Sequence, residues 1–462
     1  MTQKSTMKLP ALFRYKISRS LTFFVVLCLV AGCNQKTPST NSEIEADTLV
    51  RADTTRKAHD FSLTLPVLNA LFIEEEFKTQ LKSDLQLTEE QIQQLETAAN
   101  ESVAELSEDG TNYLGSARAA RKQSEDKIRS IIGQEKADHL YRIVSERYAG
   151  GDIAGLFPTT PNAVPSDTRV VINAPAFRMD VYQEGKLLKT YKIGIGYPEF
   201  PLPTGMRKAE SIIFNPTWTP PDEPWVKGKF QPGKKVAAGS KLNPLGLVKI
   251  PIGLPSLIHG GKDKEKLGNF ASHGCVGLTN KQVQDFSTVL AQLGGASVTP
   301  DSIRILEKQS KKTKTVKLSQ PVPVELRYET IVAENGSLHI YKDVYERGTN
   351  TVAEAVRILK VYGVEYNSLS LEEKQFLTTA LTEMNLDSQG NPISEQVSSR
   401  DTMARAKDST AGRKDGVAAN KQQGAKTGKV TKSVKGQTEL VIPIAALNGK
   451  GYPAPVALNS GE

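Results

Sequence analysis

The hydrophobic periodicity of this 462-residue chain changes near Gly150-Gly151, and that change limits the folds available to it. Before this point apolar residues recur every three or four positions, and after the proline-rich stretch 158–165 apolar and polar residues alternate. Amphipathic helices have the first period and half-buried strands the second. The length also exceeds that of one ordinary domain. We therefore predict a multidomain chain with a small helical bundle over residues 66–150 and a mostly-β domain with a helical cover over residues 168–300.

Local signals place the individual elements. Thr88 to Gln91 has the form of a capping box and predicts the start of one helix, with two further helices reaching Tyr148. Strands are predicted at 169–174, 177–183, 186–193 and 247–252, with Glu184-Gly185 as a hairpin turn. A helix with Val283 and Leu293 on its apolar face follows.

The C-terminal third divides into four predicted regions. Residues 308–317 form a basic linker, and residues 320–390 form an extension with a hairpin around Asn335-Gly336 that could extend the sheet of the mostly-β domain, followed by helices. Residues 392–437 contain few large apolar side chains, so they cannot repay the entropy of ordering and are predicted to be disordered. Residues 438–462 are predicted to be a C-terminal tail.

The net charge of +8 is concentrated in one segment. Residues 400–435 contain ten Lys/Arg and three Asp, which gives +7 of that total. The remainder of the chain carries no basic stripe with interleaved aromatic residues, so a nucleic-acid partner is not expected. The basic segment is either a solvated linker or a binding site for anionic polymers or lipid headgroups.

The N-terminus predicts the compartment. Lys8 to Arg19 is basic and precedes an apolar run, 21–30, that is too short to span a bilayer, so residues 1–32 are predicted to be a signal peptide. Leu29 to Cys33 resembles a bacterial lipobox, which implies that Cys33 is lipidated and that the protein is lipid-anchored in the cell envelope, facing the periplasm. Residues 33–65 then form a polar tether. An ordinary secretory signal and an uncleaved anchor are the alternatives.

The chain has three cysteines, and only one stays available. Cys28 leaves with the signal peptide and Cys33 is blocked by lipidation. Cys275 therefore lacks an intramolecular disulfide partner, and in an oxidising compartment it is either buried and inert or kept for its reactivity.

The residues around Cys275 favour reactivity. His259-Gly260 is followed, after a spacer, by Ser272-His273-Gly274-Cys275. Acyl transfer by a thiol requires a base and donors for the oxyanion. His259 can supply the base, and as an imidazolium it would lower the pKa of the thiol. Backbone N–H groups of His273, Gly274 and Cys275 are candidates for the oxyanion donors.

This pattern resembles the L,D-transpeptidase (YkuD-type) catalytic domain, whose motif is His-Gly, a spacer, then Ser/Thr-His-Gly-Cys. The resemblance covers residues 168–300 and includes Pro203 to Gly205, Asn215 to Pro221 and Asn243 to Gly246. It implies a catalytic set in which Cys275 is the nucleophile, His259 is the base held by a nearby backbone carbonyl, and Ser272, His273 and Gly274 shape the oxyanion pocket.

The same resemblance implies a substrate and a reaction. The enzyme would attack peptidoglycan stem peptides through a Cys thioester, with no cofactor and no metal. A second stem, a D-amino acid, a protein lysine or water could accept the acyl group, and water would make the protein an L,D-carboxypeptidase. The family usually has Arg two residues after the cysteine, where this chain has Gly277. Lys281 is a possible substitute for that charge.

Three alternatives stay open at this stage. His273 could hold the loop through a hydrogen bond instead of transferring a proton. A zinc site with His273, Cys275 and either His259 or Asp263 lacks a convincing fourth ligand. The protein could also be a non-catalytic peptidoglycan-binding or chaperone-like lipoprotein, because Leu87 to Gln91 resembles a motif of periplasmic stress chaperones.

Overall fold

The computed structural model describes residues 63–104, 115–220, 234–253, 256–387, 390, 392–393, 431–433 and 436–456. The predicted signal peptide, Cys33 and most of the tether lie outside these residues, as does most of the basic segment. The described part belongs to one compact unit, residues 52–462. Among the described helices, none is both long enough and apolar enough to cross a membrane.

The described residues of the N-terminal region, 63–104 and 115–150, contain five α-helices where the periodicity predicts three. They are α1 (Leu65–Leu71), α2 (Glu75–Leu85), α3 (Glu89–Ala104), α4 (Ala117–Ile132) and α5 (Gln134–Ala149). Thr88 and Gln91 form the predicted capping box, each side chain bonding the other residue's backbone N–H at 3.2 Å. The two additional helices, α1 and α2, contribute Leu68, Leu71, Phe77 and Leu81 to the core shared by the bundle.

An eight-stranded sheet carries the centre of the molecule. Its strands are β1 (Arg169–Asn173), β2 (Arg178–Gln183), β3 (Lys186–Lys192), β5 (Gly205–Phe214), β6 (Val248–Pro251), β7 (Leu257–His259), β9 (Val276–Gly277) and β10 (Lys314–Arg327). Their order in the sheet is β3-β2-β1-β10-β5-β6-β7-β9. Two short strands, β4 (Ile195–Gly196) and β8 (Phe270–Ser272), pair with each other in parallel beside it.

The two edges of this sheet approach each other. Gly194 follows edge strand β3, and it exchanges two backbone hydrogen bonds of 2.9 Å with Gly277 on the opposite edge strand, β9. The sheet is therefore curled, as right-handed twist over many strands favours. The predicted Glu184-Gly185 turn joins β2 and β3, with positive φ at both residues as a tight hairpin requires.

One helix covers the apolar face of the curled sheet. Helix α6 (Asn280–Leu293) begins with a capping box formed by Thr279 and Gln282. Its buried residues Val283, Phe286 and Leu290 share one core with the sheet. A shorter helix, α7 (Pro300–Lys308), follows it and leads directly towards β10.

Strand β10 corrects two boundaries predicted from the sequence. Residues 308–317 are not a linker, because they comprise the end of α7, a short turn and the first residues of β10. The mostly-β domain does not end at residue 300 either, since β10 lies between β1 and β5 in the centre of the eight-stranded sheet. The first half of β10 is solvent-exposed, which accounts for its linker-like lysines, and the second half is buried.

The predicted 320–390 extension is divided between two sheets. The hairpin β11 (Ile331–Glu334) and β12 (Ser337–Tyr341) turns at Asn335-Gly336 as predicted, but it does not extend the catalytic sheet. It pairs instead with β14 (Gly436–Pro443) and β13 (Thr431–Ser433) in the order β11-β12-β14-β13. Helices α8 (Val352–Val361) and α9 (Leu371–Met384) pack on this second sheet, and the predicted Ser370–Glu373 capping box starts α9.

Strands β13 and β14 also correct the C-terminal predictions. Residues 431–433 and 436–437 were predicted to be disordered, yet they belong to strands. The predicted tail, 438–462, contains the remainder of β14, and Tyr452 pairs with Glu334 of β11. Apolar residues Ile442, Ile444 and Leu447 fill the core beneath α9, which supplies the burial that composition alone did not reveal.

A buried ionic network connects the two sheets. Arg178 on β2 contacts Asp180 and Glu334, and all three side chains are at most 10% exposed. On β10, Glu325 is fully buried between Arg169 and Arg327. Such groups are tolerated in a core only when each charge is paired, and the Arg178–Glu334 ion pair joins the first sheet to the second.

Candidate active site

Two parallel strands bring the expected base and nucleophile to one side of the sheet. His259 ends β7 opposite Gly277 of β9, and Ile258 lies opposite Val276. Side chains alternate along a strand, so position 275 and Gly277 face the same side as His259. Cys275 immediately precedes β9 and is half-buried, whereas His259 is only 3% exposed.

The turn that carries Cys275 is held by two serines. The Oγ of Ser272 accepts a hydrogen bond from the Cys275 N–H at 3.0 Å and donates one to the Cys275 carbonyl at 2.5 Å. Ser256, which is fully buried, donates its hydroxyl to the Gly274 carbonyl at 2.9 Å. Gly274 has φ +86°, a backbone conformation that favours glycine. The sequence offered no signal for the role of Ser256.

This hydrogen bonding changes the set of expected oxyanion donors. The N–H of Cys275 was one of three candidates, but it is already engaged by Ser272. Ser272 therefore contributes by shaping the turn. The donor role stays a prediction for the N–H groups of His273 and Gly274.

The imidazole of His259 is oriented by its own neighbour. Its Nδ1 lies 2.7 Å from the carbonyl oxygen of Gly260. A carbonyl oxygen only accepts, so Nδ1 carries the proton and Nε2 presents a lone pair. This is the tautomer that a general base needs, and the contact matches the backbone tether that the family resemblance implies.

His273 is held by aromatic packing. Its ring makes edge-to-face contacts with Tyr197 and Phe200, at centroid distances of 5.6 and 4.9 Å. Tyr197 and Phe200 in turn pack against Val103 of α3. The helical region reaches the same loop by hydrogen bonds from Thr64 to the Glu199 carbonyl, 2.6 Å, and from the Gly115 N–H to the Glu199 carboxylate, 3.2 Å. The N-terminal helices therefore brace the wall behind His273.

The electrostatics correct one part of the sequence-based prediction. Burial, with a smaller effect of the Lys262 charge, lowers the pKa of His259 to about 3 against the opposing Gly260 hydrogen bond. The same two causes lower the pKa of His273 to about 3. Burial raises the pKa of the Cys275 thiol, although a Leu257 backbone hydrogen bond and Lys262 both lower it. At neutral pH the resting site thus holds neutral imidazoles and a thiol, not an imidazolium beside a thiolate.

Three asparagines outside the core motif make hydrogen bonds that hold neighbouring segments of the domain in place. Asn280 Oδ1 accepts hydrogen bonds of 3.0 Å from the N–H groups of both Leu247 and Gly261. Asn243 donates to the Pro216 carbonyl at 2.7 Å, and Asn215 donates to the Leu306 carbonyl at 2.8 Å. Asn280 thus joins the segment after His259 to the residue before β6, and the other two asparagines hold the segment between β5 and β6. Asn280 was missed by sequence reasoning because nothing local distinguishes it from an ordinary first helical residue.

The described residues contain no group of three or more His, Cys, Asp or Glu side chains placed to hold a metal ion. Asp263, considered as a ligand from the sequence, is exposed. Trp218 forms a bridge with Val236 at the edge of the described loop, and Trp225 and Pro221 lie outside the described residues.

The central domain is similar to a known family of proteins. Residues 167–315 match the family model of the L,D-transpeptidase catalytic domain, YkuD. A curated Bacillus subtilis (strain 168) protein, the candidate L,D-transpeptidase YqjB, is 24% identical over 180 residues, which is 37% of this chain and 94% of that protein.

Solved structures give a weaker comparison. The catalytic domain of the E. faecium L,D-transpeptidase is 15% identical, with a TM-score of 0.24 over 36% of this chain and 100% of that one. An L,D-transpeptidase from Mycobacterium smegmatis is also 15% identical, with a TM-score of 0.22 over 35% of this chain and 58% of that one. Scores this low carry no weight for the fold, so the assignment rests on the family model and the Bacillus relative. Residues 167–315 of this chain are thus similar to the L,D-transpeptidase (YkuD-type) catalytic domain.

Proposed function

We propose that this protein is a cysteine acyltransferase of the cell envelope that acts on peptidoglycan stem peptides. The match of residues 167–315 to the L,D-transpeptidase family model supports a peptidoglycan-related transpeptidase role in the cell wall. The observation that carries the finer proposal is the placement of Cys275 and His259 on one side of two paired parallel strands, with Nε2 of His259 left as the proton acceptor.

The proposed reaction proceeds in two steps. The Cys275 sulfur attacks the carbonyl of the L-configured third residue of a tetrapeptide stem while His259 takes the thiol proton. The C–N bond to the terminal D-amino acid then breaks, that amine leaves with the proton, and a thioester remains. In the second step an acceptor amine, or water, attacks the thioester and the thiol is regenerated.

The neutral resting state fits this mechanism. A buried imidazole with a pKa of about 3 is unprotonated at neutral pH and can accept the thiol proton during attack. No charge needs to be buried before the substrate arrives. The thiol is then activated by proton transfer to His259 in the transition state, and not by a thiolate–imidazolium pair that exists beforehand.

The test is muropeptide analysis after incubation of the purified protein with disaccharide tetrapeptides. We expect loss of the terminal D-amino acid, with 3→3 cross-linked dimers if a stem is the acceptor or tripeptides if water is. Cys275→Ala should abolish both products and His259→Ala should reduce them by at least about 100-fold. His139→Ala, a half-buried helical histidine, serves as the matched control. Unchanged tetrapeptides with the wild-type protein, or full turnover by Cys275→Ala, would contradict the proposal.

We also propose that lipidation of Cys33 anchors the enzyme in the envelope. The support is the lipobox-like segment that ends at this residue. Cys33→Ala should move the protein from the detergent-extracted membrane fraction to the soluble fraction of the envelope. Retention of the variant in the membrane fraction would refute the anchor.

The basic segment is proposed to bind anionic wall polymers. Because residues 431–433 and 436–443 form strands, the test should leave them intact. Replacing the eight Lys/Arg of residues 400–430 by Gln should weaken co-sedimentation with sacculi at low salt and leave soluble-stem turnover unchanged. If the variant and the wild type co-sediment equally across a salt series, the segment is only a linker.

A further inference from the structure

The side chain of Lys262 lies beside Gly277, the position where this chain departs from the family pattern. A Cβ atom built on Gly277 would lie 2.8 Å from Cγ, 3.1 Å from Cε and 3.4 Å from Cδ of Lys262. The backbone N–H of Lys262 donates to the Leu278 carbonyl at 3.1 Å, which holds the residue beside β9. The aliphatic part of Lys262 thus fills the space that a side chain at position 277 would need.

The backbone that presents Lys262 is fixed at several points. Gly261 has φ +77° and donates its N–H to Asn280 Oδ1 at 3.0 Å. A Cβ on Gly261 would lie 2.7 Å from the Pro244 carbonyl oxygen. The segment from His259 to Lys262 therefore has little freedom, and the lysine stem leaves it from a preorganised position.

The charge of Lys262 acts on the reacting groups. It lowers the pKa of Cys275, of His259 and of His273, in each case the direction expected of a nearby cation. Lys262 itself is half-buried, so its charge is less screened than that of a fully exposed lysine.

We propose that Lys262 is the cation of this active site, occupying the place of the arginine that the family pattern has two residues after the cysteine. It stabilises negative charge on the Cys275 sulfur and on the oxyanion of the attacked carbonyl. Gly277 is then a requirement of this arrangement, because any larger residue would displace the lysine. The proposal rests on the acyltransfer function proposed above.

Lys281, which the sequence suggested for this charge, lies elsewhere. It is exposed in the first turn of α6, and no shift in the pKa of Cys275 or of the two site histidines is traced to it. The substitute charge therefore comes from the loop after β7 and not from the helix after β9. This makes Lys281 the matched control for Lys262.

The test measures the reactivity of Cys275 in the full-length protein without substrate. Because the full-length chain also contains Cys28 and Cys33, iodoacetamide alkylation is followed at Cys275 by peptide mapping. The pH series compares wild type, Lys262→Met, Lys262→Arg and Lys281→Met. We expect Lys262→Met to lower the alkylation rate at pH 8 on the order of tenfold and to move the profile to higher pH. Lys262→Arg and Lys281→Met should follow wild type. A Lys262→Met profile that coincides with wild type would overturn the proposal.

A charge relocation provides a second readout. Lys262→Ala removes the stem that blocks Gly277, so Lys262→Ala/Gly277→Arg should recover most of the alkylation rate lost in Lys262→Ala alone. Gly277→Arg without the first change should disturb the turn and react slowly. A folded double variant that alkylates no faster than Lys262→Ala would contradict the role of Lys262.

The outcomes separate this inference from the proposed function. A thiol whose reactivity depends on Lys262, in a protein that leaves stem peptides unchanged, supports the cation and refutes the acyltransferase. If Lys262→Met turns over stem peptides at the wild-type rate and its thiol reacts as fast as that of wild type, only the role of Lys262 is refuted.

Discussion

The buried neutral state of His259 predicts a specific loss of stability in mild acid. In the unfolded chain its imidazole has an ordinary pKa of 6.5, whereas burial lowers that pKa to about 3 in the folded protein. As the pH falls below 6.5 the unfolded state takes up a proton that the native state does not, so stability falls with pH until both forms are protonated. Between pH 7 and pH 5 this single group should cost about 2 kcal/mol of unfolding free energy.

The perturbation that isolates this contribution is His259→Gln, which removes the titration and keeps an amide able to donate to the Gly260 carbonyl. Urea denaturation of wild type and variant at pH 7 and pH 5 gives four free energies. The wild type should lose about 2 kcal/mol more than the variant over that interval. His273→Gln should reduce the pH-dependent loss of unfolding free energy by a similar amount, because the pKa of His273 is also lowered to about 3. Equal pH dependence in wild type and His259→Gln would refute the buried neutral imidazole.

Three further predictions concern the site and its support. Gly196→Ala should destabilise the protein by more than about 2 kcal/mol in urea, because its Cβ would lie 2.0 Å from the Phe200 carbonyl oxygen; wild-type stability would contradict this packing. Glu334→Gln should cost about 3 kcal/mol by leaving the buried Arg178 with one carboxylate fewer, and a loss below about 1 kcal/mol in the same assay would show that the network is not needed for docking. The kcat/KM for a soluble stem peptide should be retained down to pH 5, and an acid midpoint near 6.5 would show that His259 is not held neutral.

Features encoded by neighbouring residues were predictable from the sequence. Glu184-Gly185 and Asn335-Gly336 both form hairpin turns because both residues of each pair adopt positive φ. The Ser370–Glu373 capping box likewise depends on residues three apart. The grouping of His259 with the turn at Cys275 followed from a motif and its spacing.

Features that depend on distant pairing were not predictable. Strand β10 resembles a linker because its first half is exposed and lysine-rich, and its place in the sheet depends on β1 and β5, about a hundred or more residues earlier. The neutral resting site was missed because burial, not composition, sets the pKa of His259. The sequence marked Gly277 as a departure, but the parallel pairing of β7 with β9 is what brings Lys262 beside it.

The central claim is that Cys275 forms a thioester with a stem peptide, and intact-mass spectrometry of the protein after brief incubation with a tetrapeptide stem tests it most directly. The account predicts a mass increase equal to the stem minus its terminal D-amino acid, located on Cys275 by peptide mapping, lost on treatment with hydroxylamine and absent in Cys275→Ala. A protein that turns over the stem without such an adduct, or that carries the adduct equally in Cys275→Ala, would contradict the account.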